Sequence, residues 1–204
     1  MDLKPLFDSF YDKLVLRDLF GKVVPGVGFM FSAVAGLEGI PTADRVFSKL
    51  EVFPWLVVLG AAWLAGFALQ YLGELLRLLR THPRGVDGTG TRVSFFAEWM
   101  SFHNQATLHE KVHAERLNVI KEACGNAAVS ILCAVVFLAV GMSQRGQALH
   151  SGVAVFALGF GVAVCLWRMH VIHIERYGEF VRNTNAHYRE HPPTIPGATT
   201  TPQS

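Results

Sequence analysis

The sequence predicts an all-α membrane protein: four transmembrane helices, an N-terminal interfacial amphipathic helix and cytoplasmic helical extensions. Two observations lead there. Hydrophobic residues make up 51% of the 204 and mean hydropathy is +0.32, more apolar than a soluble domain of this size. The apolar residues also gather into long runs, of which the strongest, after Pro54, is free of charge until Glu74. Net charge is +2, so there is no global pull towards nucleic acid and no DNA partner is expected.

Residues 5–20 intersperse Leu6, Phe7, Phe10, Tyr11, Leu14 and Leu16 with Lys4, Asp8, Asp12, Lys13 and Arg17 at helical spacing. That pattern suits a helix lying on the membrane surface, or one packed on the protein's own polar part. The start of the chain lacks a signal peptide's basic region.

The first apolar run, residues 23–37, is short for a span and carries Pro25, Gly26 and Gly28 at its start, so a re-entrant segment competes with a crossing. Residues 38–53 read as a polar link. Pro54 suits the first turn of the second span, which is expected to run on to Arg77 and Arg80. A glycine-rich loop, residues 81–91, precedes a long polar helix over 92–122 with an apolar face that includes Phe95, Trp99, Phe102, Val112 and Leu117. The third span begins at Asn126. A tight connector joins it to the fourth in a hairpin, and the chain leaves the membrane at Arg168 to continue helically to about Arg189. The tail, HPPTIPGATTTPQS, has the composition of a disordered segment. The expected segments are therefore 1–22 interfacial, 23–79 spans one and two, 80–125 loop and long helix, 126–167 spans three and four, 168–190 cytoplasmic helix and 191–204 tail.

Positive residues set the orientation. Lys4, Lys13, Arg17 and Lys22 precede span one. Arg77, Arg80, Arg84, Arg92, Lys111, Arg116 and Lys121 lie between spans two and three, and Arg168, Arg176, Arg182 and Arg189 follow span four. The two opposite loops hold Arg45, Lys49 and Arg145. Both termini and the central helix are thus expected in the cytoplasm, in a bacterial inner membrane. Cys124, Cys133 and Cys165 form no C-x-x-C pair and read as small buried hydrophobes.

Three stretches are candidates for chemistry. His109-Glu110-Lys111-Val112-His113 spells H-E-x-x-H, which resembles the zinc-peptidase signature. On a helix His109 and His113 share a face one turn apart and could hold zinc, with Glu110 as base on a bound water. Lys111 stands where that motif places a bulky apolar residue, and no third ligand follows on the helix. His170, His173 or Glu175 would have to supply one through folding, and the competing reading is two histidines on a charged interfacial helix.

The stretch 182-RNTNAH-187 has the spacing Arg-Asn-x-x-x-His. It resembles the motif of HEPN-domain ribonucleases, including those of small CRISPR-associated membrane proteins. The resemblance implies an RNA partner and metal-independent cleavage by Arg182 and His187 across a paired active site. It covers six residues, and the family's soluble helical bundle is missing. A solvated helix is the competing reading.

Gln70 and Glu74 share a helix face near the end of span two, where a buried ionisable group seeks a partner. Asn126, Lys121 and Arg168 are the candidates. An ion or proton path and a structural hydrogen bond both fit. Small residues (Gly60, Ala61, Ala62, Ala65, Gly66, Gly159, Gly161, Ala163) allow close helix contact within the chain and between copies.

The expected function is a non-enzymatic, homo-oligomeric membrane module that binds a cytoplasmic partner or forms a pore, by analogy an effector in stress or phage defence. A membrane-tethered ribonuclease using Arg182 and His187, a zinc hydrolase using residues 109–113, and a transporter centred on Gln70 and Glu74 are the alternatives. No cofactor is expected outside the zinc reading.

Overall fold

The computed structural model describes residues 18–80, 82–83, 95–146 and 149–191. The amphipathic stretch at 5–16, most of the glycine-rich loop and residues 192–204 lie outside the described residues. Six α-helices follow in order: α1 Val24–Glu38, α2 Ile40–Ser48, α3 Val52–Leu75, α4 Phe95–Gln105, α5 Leu108–Gln144 and α6 Leu149–Glu190. There is no strand among the described residues.

Four helical stretches are long and apolar enough to cross a membrane: Asp18–Glu38, Val52–Leu75, Leu108–Gln144 and Gly152–Glu190. At 1.5 Å per residue the first two are about 32 and 36 Å long, close to a ~30 Å hydrocarbon layer. By the same rise α5 and α6 are about 55 and 63 Å long, so they must project about 25 and 33 Å beyond such a layer.

Span one starts earlier than its sequence suggests. A wide helical turn over residues 18–23 precedes α1, and Pro25 sits in the helix's first turn, where a missing N–H is tolerated. Gly39, with φ 96°, ends α1: its N–H donates to the Ala35 carbonyl at 3.0 Å in a backbone conformation that an L side chain resists. The same residue starts α2, whose Pro41 lies in the first turn. The link expected at 38–53 is therefore mostly a helix, held by Phe47 between Phe31 of α1 (5.5 Å) and Trp55 of α3 (6.2 Å).

Helix α3 stops at Leu75, five residues before Arg80. Arg77 takes the left-handed conformation (φ 57°). The Leu78 N–H donates to the Gly73 carbonyl (2.9 Å) and the Arg77 N–H to that of Glu74 (2.9 Å), which is a Schellman turn with arginine where glycine is usual. Residues 76–80 then form a strap rather than more helix.

The polar helix expected over 92–122 is broken, and its second part is continuous with span three. The break falls at Thr107, whose side chain accepts from the Glu110 N–H while the Glu110 carboxylate accepts from the Thr107 N–H at 2.7 Å. The sequence carries this capping box as Thr107-x-x-Glu110, which overlaps the H-E-x-x-H stretch at His109 and Glu110.

Helices α5 and α6 form the most extensive pairing, antiparallel, from Val135 against Gly159 to Glu110 against Tyr188. Helix α1 runs parallel to α5 in their contact, and Gly36 lies so close to Phe137 and Gly141 that neither glycine has room for a Cβ. Helix α1 runs antiparallel to α3, with Gly26 against the Ala62 backbone and Gly66 against that of Lys22. Beyond the apolar layer, α4 packs on the polar ends of α5 and α6. Phe95, Phe102, Ala106, Ala114, Tyr177 and Val181 make the core of this three-helix head, with Trp99, Leu117 and Phe180 around it. Asn185 ties α4 to α6 by donating to the Glu98 carbonyl at 2.8 Å.

Candidate functional site

The residues of the H-E-x-x-H stretch stand in the head. His109 and His113 are exposed, and the His113 ring lies 4.8 Å from Phe180, edge to face. Glu110 serves the helix start. One of its oxygens accepts from the Thr107 N–H (2.7 Å), the Thr107 hydroxyl (2.7 Å) and the Tyr188 hydroxyl (2.9 Å). Burial acts to raise its pKa, but the Thr107 and Tyr188 hydrogen bonds together hold the carboxyl below its usual value. The same bond to Glu110 pushes the Tyr188 phenol up. Among the described residues no group of three His, Cys, Asp or Glu side chains could hold a metal ion. His170 and His173 are not gathered with His109 and His113: His170 sits at the opposite end of the head, against α5 and the strap.

The Arg182 to His187 stretch lies on α6. Its middle is structural, since Thr184 and Asn185 are buried and Asn185 holds α4. His187 is exposed and packs beside Tyr188 (5.6 Å) and His191 (5.1 Å). Five residues apart on a helix, Arg182 and His187 point roughly 140° from each other. Tyr177, one helical turn back in the head core, has its phenol pushed up to about 12, by burial first and then by the Glu115 charge.

The polar residues at the apolar boundary are held by hydrogen bonds within a helix and to backbone carbonyls. Glu74 accepts from the Gln70 amide on its own helix at 3.2 Å. Asn126 does not reach it, because the Asn126 Nδ2 donates to the Gly21 carbonyl at 2.6 Å. The reason is Pro25: it has no N–H, and the carbonyl four residues earlier is that of Gly21. Ser130, one turn further along α5, donates to the Pro25 carbonyl at 2.7 Å. Asn126 and Ser130 thus complete the first turns of span one from a neighbouring helix. Lys22, nearly buried, pairs with Asp18 (3.2 Å) and lies over the Phe67 ring, 4.0 Å from its centre. At the other end Arg145 donates to the Gly36 (3.1 Å) and Ala35 (3.3 Å) carbonyls and so caps α1.

A junction that sequence reasoning missed is built on His170, 2% exposed. Its Nδ1 donates to the Lys121 carbonyl (2.8 Å) and its Nε2 accepts from the Arg80 N–H (3.2 Å). The carbonyl partner and the amide partner fix a neutral ring with the proton on Nδ1. Gly125 leaves the space that the ring fills, and Leu79 packs beside it. The indole of Trp167 donates to the Leu78 carbonyl at 2.8 Å, so the strap is tied twice to α6. The available signal was a histidine just past span four, at the same end of the bundle as the basic end of span two.

No protein-family model, curated protein or solved structure matches this chain.

Proposed function

We propose that the chain is a non-enzymatic module of a bacterial inner membrane that self-associates through α6 and presents its three-helix head to a cytoplasmic partner. The observation that carries this reading is the uneven cover of the spans. Only 6% of the most apolar stretch of α6 is buried within the chain, against 33% for the spans of α1 and α5. Phe156, Leu158, Phe160 and Val164 are exposed on it, and Gly161 meets nothing where a Cβ would stand. Lipid covers such a face adequately, and close packing of a second helix on small residues covers it too.

The cytoplasmic placement of the head rests on charge. Lys22, Arg77, Arg80, Lys121 and Arg168 all stand at the head end of the spans, whereas Arg45, Lys49 and Arg145 stand at the other. Partner binding is favoured over a pore because polar side chains of the bundle are engaged within the chain: Asn126 and Ser130 with backbone carbonyls, Gln70 with Glu74 and Lys22 with Asp18.

The test is the mass of the purified full chain in mild detergent, beside Gly161→Leu. A discrete oligomer that dissociates in the variant supports the reading. A monodisperse monomer in both rejects self-association. Release of a trapped dye from liposomes carrying the protein alone would replace partner binding by a pore.

A further inference from the structure

Where the spans end on the head side, the strap and the adjoining turn of α6 carry exposed basic residues at one level. Arg77 occupies the turn that ends α3, and Arg80 closes the strap. The bonds from Trp167 to the Leu78 carbonyl and from the Arg80 N–H to His170 hold this strap against the part of α6 that carries Arg168. All three arginines are exposed. The acidic neighbours are Glu74, bonded by Gln70 at 3.2 Å in the turn before Arg77, and Glu175, whose carboxylate lies 3.9 Å from the Arg80 guanidinium with both side chains 42% exposed, a loose pair that leaves donors free for a further oxygen.

The surroundings are apolar. Leu75, Leu76, Trp167 and Met169 are exposed at the same level. Trp167 has the place of an interfacial tryptophan, 42% exposed with its N–H bonded to a backbone carbonyl at the end of the span. A soluble polyanion would meet this apolar rim without gain, whereas a lipid presents a phosphate and acyl chains in the same order along the spans.

We propose that the strap and the adjoining turn of α6 form a docking site for the headgroup phosphate of an anionic phospholipid, with Arg77, Arg80 and Arg168 as donors and Trp167 at headgroup depth. This rests on the reading of α3 and α6 as membrane spans. Forked guanidinium donors match the phosphate, and the net negative headgroup adds attraction over a zwitterionic one. Each arginine removed is expected to weaken the preference about fivefold, the equivalent of ~1 kcal/mol per basic residue at an anionic surface.

The experiment uses the full chain in nanodiscs of phosphatidylcholine with increasing phosphatidylglycerol, followed by gentle extraction and counting of retained lipids by native mass spectrometry. Wild type is expected to retain phosphatidylglycerol over phosphatidylcholine. Arg168→Gln should lower the ratio severalfold and Arg77→Gln with Arg80→Gln further, while Arg189→Gln, far along the head, keeps it. Should the double variant fail to fold, Arg168→Gln and the loss of preference at high salt carry the test. Equal retention of both lipids by wild type, or an unchanged ratio in Arg168→Gln, overturns the site. A rise in unfolding temperature with inorganic phosphate alone, as large as with the lipid, makes it a phosphate site and overturns the lipid reading. Recovery of the protein outside the bilayer fraction would instead reject the spans themselves.

Discussion

Asn126 shows how a single side chain can make a span possible. Pro25 removes the donor that the Gly21 carbonyl would have met, and so buried a site holds no bulk water to replace it. The amide of Asn126 does so at 2.6 Å while itself only 1% exposed. Asn126→Leu should therefore leave that carbonyl unpaired and destabilise the protein by about 1–3 kcal/mol, read as a lower unfolding temperature in detergent. An unchanged transition would mean that the carbonyl has another donor. Arg77 makes the opposite case. Its left-handed backbone is strained for a side chain by roughly 1–2 kcal/mol, and glycine removes that strain. Arg77→Gly is expected to raise thermal stability by about 1 kcal/mol, less whatever the guanidinium contributes; a drop would show that the side chain outweighs the strain.

At the scale of elements, the sequence was most informative where apolar runs are long. Spans two, three and four were legible from composition, since length and absence of charge have one cheap solution in lipid. What escaped were the ends, which depend on local hydrogen bonds. Residues 40–48 look like a polar link but gain a helix from Gly39 and Pro41 at its start and Phe47 in an aromatic contact. The 92–122 stretch has continuous helical periodicity, and only the Thr107-x-x-Glu110 pattern marks its break. That pattern also gives Glu110 of the H-E-x-x-H stretch a role in the fold, independent of metal. Thr107→Ala should cost about 1 kcal/mol of stability through the lost cap. The carboxyl of Glu110 has a folded pKa below its unfolded one, so its contribution is present above the unfolded value near 4.5 and is lost as pH falls through the lower folded value. Glu110→Gln is expected to be less stable than wild type at neutral pH, with the two curves converging as pH falls below the unfolded value and through the lower folded one. A constant gap down to pH 2 would rule out ionisation as the source of the difference.

The molecule as a whole joins a membrane bundle to a polar head without a linker, because α5 and α6 run through both. Rotation or tilt of α6 in the bilayer must therefore move Tyr177, Phe180 and Val181 in the head core, and the His170 junction stands at the crossover between the two parts. A surface on the spans, whether it takes a second copy or a lipid, is mechanically connected to the head by one continuous helix. This coupling has meaning only if the head and the α2 end lie on opposite sides of one membrane. In right-side-out vesicles, with Cys124, Cys133 and Cys165 replaced, a membrane-impermeant maleimide is expected to label Lys49→Cys, which is exposed beside α2, and to leave Arg189→Cys unlabelled until the vesicles are opened. Labelling of Arg189→Cys alone would invert the orientation drawn from the arginines and move the proposed partner to the outer side. Labelling of both in sealed vesicles would mean that α3, α5 and α6 do not all cross, and the exposed apolar face of α6 would then need a protein rather than a bilayer to cover it.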